Sequence, residues 1–505
     1  MLRGLMLLQP NSAFNGEFDS GIYFVSAGLF AEGYAPYRDF IFVHPPAVLA
    51  VLTPFVGLAH WVGLDGAFVA ARWSVAAIGA INTFLVGVLT LRWRGATAAL
   101  VASSLYAIYP AALRIESDVM LEPFLNLVAL AAAFALLARS DRPLRLSRVI
   151  LSGVVFGLVP FVKMYGACLL IPALAAGPFA RPLRDRLIFI SSALAGFALL
   201  SAPFAVRAGV TQFVQQVFVF QLGRPAADPR DGALVGVMDR ARNMFDWGQF
   251  RYFPAPAMIA AAALVAVIGV AVWQALRGGS SGRYWGVQAV LVIVMLLTTR
   301  VYYYQYSVFL LPALSILAGA SVAALAAQRT RRGGRAFVSL VGVVVVASIA
   351  LAAIKDVRVS NDTMYPTVAL GAIRRNVPTA ACFWANPPVL GIAIDHLPDG
   401  DPTGRVIADP FGEPLYRALK SDEHYRTQEE AFGTQAAQSR LRAQLGGCDY
   451  VALTPGLVRF QWTDATRAWF ARRFVPVIRD VDGRPGLWRN RGVLAGAGAT
   501  DSPPT

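Results

Sequence analysis

The chain has 505 residues, 56% of them hydrophobic and only 15% charged, with a mean hydropathy of +0.53. A soluble domain carries about 25% charged residues, so this balance points to an integral membrane protein and excludes intrinsic disorder. Three cysteines, Cys168, Cys382 and Cys448, are too few for a disulfide scaffold, and the net charge of +15 has to be placed along the chain before it says anything about partners.

Met1–Leu8 is apolar but too short to span a bilayer, and an outside-type loop follows at once. It is no signal peptide, because Arg3 is its only basic residue and no cleavage site follows. The expectation is that a first helix is absent, through a mis-assigned start or a truncated chain. The first outer loop is placed at 9–69. Within it, 46–64 is apolar enough to cross, but Pro45-Pro46, Trp61 and several glycines suit an interfacial or re-entrant hairpin better.

Apolar runs then predict spans near 70–91, 96–113, 123–138, 149–162, 166–180, 187–206, 255–276, 284–300, 307–327 and 336–354, about ten helices in all. Five short linkers between them, around 92–94, 139–148, 181–186, 277–283 and 329–335, hold fifteen arginines against Asp141 and Asp185. The rest of 4–354 holds 11 basic and 12 acidic residues. The excess charge is therefore a positive-inside topology signal that puts those linkers in the cytoplasm, and no nucleic-acid partner is expected.

Past residue 354 the composition changes to 18 basic and 16 acidic residues with no spanning run. Strand-like segments at Ala380–Trp384, Arg405–Ala408, Tyr450–Thr454 and Phe474–Ile478 alternate with helical ones at Gln428–Leu445 and Asp464–Arg472. The expected fold class is thus an α-helical polytopic membrane protein with a C-terminal extracytoplasmic α/β domain. The membrane domain takes 1–354, the α/β domain 355–495, and 496–505 is a disordered tail. Cys382 and Cys448 both fall in the α/β domain, but spacing alone does not show that they pair.

The outer segments collect the chemistry. Glu17 and Asp19 open the first loop, which continues through Tyr37-Arg38-Asp39-Phe40 to His44-Pro45-Pro46. Glu116, Asp118 and Glu122 follow in the second, Lys163 ends the 149–162 helix, and Arg300 precedes Tyr302, Tyr303, Tyr304 and Tyr306. Carboxylates of this kind activate a hydroxyl, and Lys, Arg and Tyr donors hold a phosphate leaving group. Ionisable groups near membrane depth are costly, which makes them functional suspects.

The first-loop acid, the Tyr-Arg-Asp-Phe…His-Pro-Pro run, the Arg114–Pro123 loop, the Gly-Leu-Val-Pro-Phe-Val-Lys163 stretch and Tyr302–Tyr306 resemble the GT-C superfamily of membrane glycosyltransferases. The likeness is strongest to the branch of protein mannosyltransferases and lipid A aminoarabinose transferases, and it covers about 10–355 in topology. It implies an inverting transfer of a sugar from a polyprenyl-phosphate donor to a lipid, glycan or protein hydroxyl outside the cytoplasmic membrane. It makes Asp19 the general base, with Glu17 as the fallback, Asp118, Glu116 and Glu122 the second-loop acids that position the acceptor or hold a divalent metal, and Arg38 a candidate substrate contact. Lys163, Arg300, Tyr303 and Tyr306 become phosphate-side groups. Asp19 is followed by Ser20 rather than by the glutamate of many protein mannosyltransferases, which weakens the case for a protein acceptor.

Each residue also has a structural reading. Asp19 caps a helix, Asp118 and Glu122 at i, i+4 share a helix face near its positive end, and Lys163 snorkels. The tyrosines form an aromatic belt, Arg38 and Asp39 pair with each other, and His44 is structural rather than a metal ligand. Four dispersed histidines make no metal site, so no cofactor is required, with a divalent cation left as an option. A transporter or lipid flippase and a non-catalytic cell-envelope scaffold are the alternatives.

Overall fold

A computed structural model of the protein describes residues 2–8, 18–137, 143–227, 234–244, 256–327, 367–397, 407–420, 425–453, 461–479 and 486–492. Glu17, the 336–354 span, the 329–335 basic cluster, the boundary at 354/355 and the 496–505 tail lie outside them. The helices are α1 (Leu2–Leu7), α2 (Phe18–Ala31), α3 (Ala47–Gly57), α4 (Ala59–Arg94), α5 (Ala96–Ile108), α6 (Pro110–Ile115), α7 (Leu121–Leu137) and α8 (Leu146–Val162). There follow α9 (Leu170–Ala176), α10 (Pro182–Ala208), α11 (Val210–Val214), α12 (Phe220–Gly223), α13 (Leu234–Met244), α14 (Pro256–Arg277), α15 (Gly279–Thr298) and α16 (Leu311–Ala327). The chain divides into two compact units, the first Met1–Leu7, Trp73–Ala202 and Arg230–Val359, the second Leu8–Arg72, Pro203–Pro229 and Ser360–Thr505.

Among the described residues three helices, α4, α10 and α15, are long and apolar enough to cross a membrane. The chain is a multi-pass membrane protein. Among the described residues the expected apolar runs fall on helices, that at 96–113 divided at the extended Tyr109 into α5 and α6, with two further differences. The helix expected at 70–91 starts at Ala59, because it continues through a break at Gly63, whose φ of +75° a side chain would oppose. The 46–64 stretch is therefore α3 followed by the opening turns of α4. The runs expected at 166–180 and 307–327 each begin with a 3₁₀ segment, Met164–Leu169 and Tyr304–Phe309, before α9 and α16.

Lipid provides no hydrophobic force between helices, so the first unit packs through small residues. Gly153 and Gly157 on α8 sit against the carbonyl oxygens of Phe189 and Ala193 on α10, leaving no space for a Cβ. Gly319 on α16 lies in the same way on the Ala98 carbonyl of α5.

The second unit holds α2, α3, the start of α4, the end of α10, α11, α12 and the C-terminal sheet. The sheet has the order β1 (Phe383–Asn386), β2 (Tyr450–Leu453), β4 (Gly486–Asn490), β3 (Phe474–Ile478). β1 and β2 are parallel, and β2–β4 and β3–β4 are antiparallel. Trp384, Leu441, Leu445, Val451, Trp462, Phe470 and Phe474 form its core. β4 was not expected from the sequence, and the described part of 405–408 is not a strand. The helix expected at 428–445 is two, Gln428–Phe432 and Gln435–Gly446, because the Thr434 hydroxyl caps the second by accepting from Ala437 N–H at 3.2 Å.

Cys382 and Cys448 are disulfide-bonded across 66 residues, with Cα atoms 4.7 Å apart, and join the strand β1 entrance to the turn before β2. Closing a loop of this length stabilises the fold by about 4 kcal/mol in the chain-entropy account. Thiol alkylation of the denatured protein should therefore label Cys168 alone before reduction and all three cysteines after it. Replacing Cys382 and Cys448 by serine should lower the thermal midpoint of the α/β domain.

Candidate functional site

In the first unit the acids of the second loop are buried and individually partnered. Glu116 is fully buried at the end of α6. Its Oε2 accepts from Arg3 Nε at 2.7 Å, and its Oε1 from Tyr106 OH at 2.6 Å and Asn82 Nδ2 at 3.1 Å. α1, α4, α5 and α6 thus meet at one carboxylate. Gly79 on α4 makes the space, since a Cβ there would stand 2.7 Å from Glu116 Oε2.

Glu122 is fully buried in the first turn of α7, where Pro123 needs no N–H donor. Its Oε1 accepts from Lys163 Nζ and, at 3.2 Å, from Tyr165 OH, while its buried Oε2 has no hydrogen-bond partner among the described residues. Lys163 follows α8 in extended conformation, which turns the side chain off the helix and into the interior. The ammonium is 6% exposed as a residue and lies 4.3 Å from the Tyr306 ring centroid and 5.0 Å from that of Tyr165. A buried lysine paired to a carboxylate and faced by tyrosine rings is not a snorkelling one.

Asp118 is buried in the turn between α6 and α7, with Oδ1 accepting from Val119 N–H at 2.8 Å. α7 starts only at Leu121, so Asp118 and Glu122 do not share a helix face as their spacing implied. Tyr303 meets Tyr306 edge-on at 5.7 Å, and Tyr306 meets Tyr165 at 5.5 Å. Arg300 is exposed at the bend after α15.

The second unit carries the first-loop residues. Asp19 lies in the first turn of α2 and is partly exposed. Arg38 and Asp39 pair bidentately, at 2.8 and 2.9 Å, and Asp39 Oδ2 also accepts from Ala35 N–H at 2.7 Å. The Arg38 guanidinium holds the Asp39 carboxyl below the usual range, helped by the Ala35 N–H and by Arg207, against the partial burial that raises it. Tyr37 adopts φ +70° and is buried, its OH donating to the His44 carbonyl at 2.8 Å. Gln216 donates to the Tyr37 carbonyl at 2.7 Å and accepts from Phe42 N–H at 3.0 Å, which fixes the loop. His44 packs edge-on against Tyr23 and Phe42. Among the described residues no three His, Cys, Asp or Glu side chains group as a metal site would.

Several partners escaped the sequence. Arg3, Asn82, Tyr106 and Tyr165 complete the buried acids, and Arg114 stacks over Tyr304 at 4.5 Å. Arg240 caps the C-terminal end of α15 by donating to the carbonyls of Leu296, Leu297 and Thr299. None stands near its partner in sequence, so spacing carried no signal.

No protein-family model matches the chain, and no curated protein sequence does. Solved structures do. ArnT from Cupriavidus metallidurans bound to undecaprenyl phosphate is similar over 93% of both chains, with a TM-score of 0.56 and 15% identity. Its apo state matches over 94% of both chains, again at 0.56 and 15%. The archaeal oligosaccharyltransferase AglB from Archaeoglobus fulgidus, in complex with an inhibitory peptide and a dolichol-phosphate, is 12% identical at a TM-score of 0.51. That match covers 87% of this chain and 65% of AglB.

The chain has the fold of these ArnT and AglB structures. Within this fold the buried acids have separable stability roles. Removing one partner of a buried pair costs about 3–5 kcal/mol, because the other charge is stranded. Arg3→Met should lower the thermal midpoint in detergent accordingly. Adding Glu116→Gln should restore most of the loss, since the glutamine oxygen still accepts from Tyr106 and Asn82.

Proposed function

We propose that the chain is an inverting glycosyltransferase that moves a sugar from a polyprenyl-phosphate donor to a hydroxyl acceptor. The observation that carries this is Lys163, buried and paired with Glu122 beside tyrosine rings, in a fold that ArnT uses with undecaprenyl phosphate bound. A fold hosts many activities, so the reading depends on that group and on Asp19.

Asp19 is the general base, with Glu17 in reserve. It takes the acceptor O–H proton while the oxygen's electron pair attacks the anomeric carbon. The bond from that carbon to the phosphate oxygen breaks, and its electrons leave on the phosphate. Lys163 stabilises that phosphate, with Tyr303, Tyr306 and Arg300 as further donors. Glu122 keeps Lys163 aimed. Arg38, Glu116 and Asp118 support the substrate-facing loops. No cofactor is required in this scheme, and a divalent cation would serve only to neutralise phosphate.

The proposed topology has about ten membrane helices with the arginine-rich linkers in the cytoplasm. Residues 1–354 form the membrane domain and 355–495 an extracytoplasmic domain. The protein is placed in the cytoplasmic membrane, and mannose or arabinose is the sugar.

The deciding experiment offers radiolabelled polyprenyl-phosphate mannose and arabinose, with cell-envelope extract, to the protein in nanodiscs. Asp19→Asn should abolish transfer while leaving insertion and the thermal midpoint unchanged. Retained transfer removes Asp19 as the base. Lys163→Met should raise KM for the donor about tenfold to a hundredfold, the loss expected for one charge-assisted hydrogen bond. An unchanged KM removes Lys163 from the phosphate.

A further inference from the structure

Glu122 shares its face of α7 with Asn126, which stands one turn along and is fully buried. The Asn126 Nδ2 donates to the Val308 carbonyl at 2.9 Å and to Tyr106 OH at 3.2 Å. Tyr106 spends its own O–H on Glu116 Oε1 at 2.6 Å, so toward Asn126 it offers only a lone pair, and the amide turns its N–H side there. The Asn126 Oδ1 has no hydrogen-bond partner among the described residues. The two N–H contacts are therefore what this amide gains inside an apolar helix.

The Val308 carbonyl needs that donor. It lies in the 3₁₀ segment Tyr304–Phe309, and α16 begins at Leu311. In a continuous α-helix the carbonyl would accept from the N–H of residue 312, but residue 312 is proline and has none. Proline is tolerated there because the first N–H groups of a helix lack intrahelical partners anyway. Pro312 thus keeps α16 from running back through the tyrosines, and Asn126 supplies the missing N–H from a neighbouring helix.

The 3₁₀ form decides where the rings go. Side chains at i and i+3 eclipse in a 3₁₀ turn, whereas an α-helix sets them about 60° apart. Tyr306 and Phe309 are three apart, and both meet the Tyr165 ring, at centroid distances of 5.5 and 5.2 Å. The Tyr306 centroid also lies 4.3 Å from the Lys163 ammonium. Tyr165 OH in turn donates to the same Glu122 oxygen that accepts from Lys163. One face of α7 therefore holds both halves of the arrangement. Glu122 aims the ammonium, and Asn126 fixes the turn that lays a ring beside it.

Given Lys163 as the phosphate cation, we propose that Asn126 is a positioning residue for the donor phosphate site. It acts through the Tyr304–Phe309 turn and not on the phosphate itself. With Glu122 on one N–H of the ammonium and the Tyr306 and Tyr165 rings against its flank, the approach of a phosphate oxygen is confined to the sector that remains. The Glu116 cluster takes part at one remove, because Tyr106 orients the amide.

The test uses the full-length protein in detergent with Tyr306 replaced by a fluorotyrosine, whose fluorine resonance reports the cation beside the ring. Lys163→Met calibrates the resonance by removing that cation. Asn126→Leu, close in size and without a donor, should move the resonance too, and Tyr106→Phe should move it the same way by less. Gly286→Ala, which drives a Cβ against the Ala271 carbonyl between α14 and α15, should lower the thermal midpoint and leave the resonance in place. In the transfer assay Asn126→Leu should raise the donor KM about threefold to tenfold, the loss expected for one neutral hydrogen bond, with kcat nearly unchanged. The same change made on Lys163→Met should add nothing further, because the ammonium it helps to present is gone.

A resonance that Asn126→Leu leaves in place overturns the proposal, and if that variant does not fold, the same result in Tyr106→Phe overturns it. KM effects that multiply in the double variant also overturn it, since they mark a merely structural asparagine. A donor KM unchanged in Lys163→Met defeats the phosphate reading on which the proposal rests. That result needs none of the asparagine variants, so the two failures are distinguishable.

Discussion

A carboxylate placed inside an apolar helical unit has to find a cation and donors there, because its hydration is lost and nothing in lipid replaces it. Two such carboxylates, Glu116 and Glu122, organise the first unit. Each draws its cation from far along the chain, Arg3 at a separation of 113 residues and Lys163 at 41. These pairs do what hydrophobicity cannot do between membrane helices, since a leucine gains nothing by facing another helix rather than a lipid chain. They select which helices meet, and the glycine contacts then allow the close approach. Gly79 belongs to both devices, because its missing side chain is the space in which Arg3 reaches Glu116.

The two carboxylates are satisfied to different degrees, and that difference separates structure from chemistry. Both oxygens of Glu116 are engaged, by Arg3 on one side and by Tyr106 and Asn82 on the other. Glu122 gives one oxygen to Lys163 and Tyr165, while the other is buried without a hydrogen-bond partner among the described residues. A buried acceptor left open costs about 1–3 kcal/mol, a cost that selection for stability alone would remove. The same group presents an ammonium against two tyrosine rings, a setting that binds a cation without satisfying all its N–H donors. The proposed phosphate site is therefore the incompletely satisfied pair, and Glu116 is its saturated, structural counterpart.

Much of the fold was legible because burial in lipid demands long apolar runs. The span expected at 187–206 lies inside α10, and that expected at 149–162 inside α8. What was lost turned on local backbone chemistry. Gly63 breaks α4 without ending it, so the helix was read as starting too late. Asp118 binds its neighbour's N–H and stays in a turn, so a helical spacing to Glu122 had no helix under it. β4, Gly-Leu-Trp-Arg-Asn, has too little alternation to announce a strand and exists because β2 and β3 both pair with it. The candidate acids and Lys163 were found from residue type and from sidedness. Their partners were not, because Arg3, Tyr106 and Tyr165 look like ordinary interface residues until the chain folds.

The first loop shows the same logic outside the apolar unit. Tyr37 accepts a strained left-handed backbone, worth about 1–3 kcal/mol, which persists only where surrounding contacts over-determine it. Gln216 grips the loop at Tyr37 and Phe42, and Val43 is packed with Phe220, Leu415 and Phe432 in one apolar cluster. The loop, the end of α12 and the C-terminal domain are thus ordered together. Phe411 is the point where that shared order closes, since its ring meets Phe18 at the start of α2, Phe432 in the C-terminal segment and the Arg224 guanidinium, three contacts that no single segment encodes.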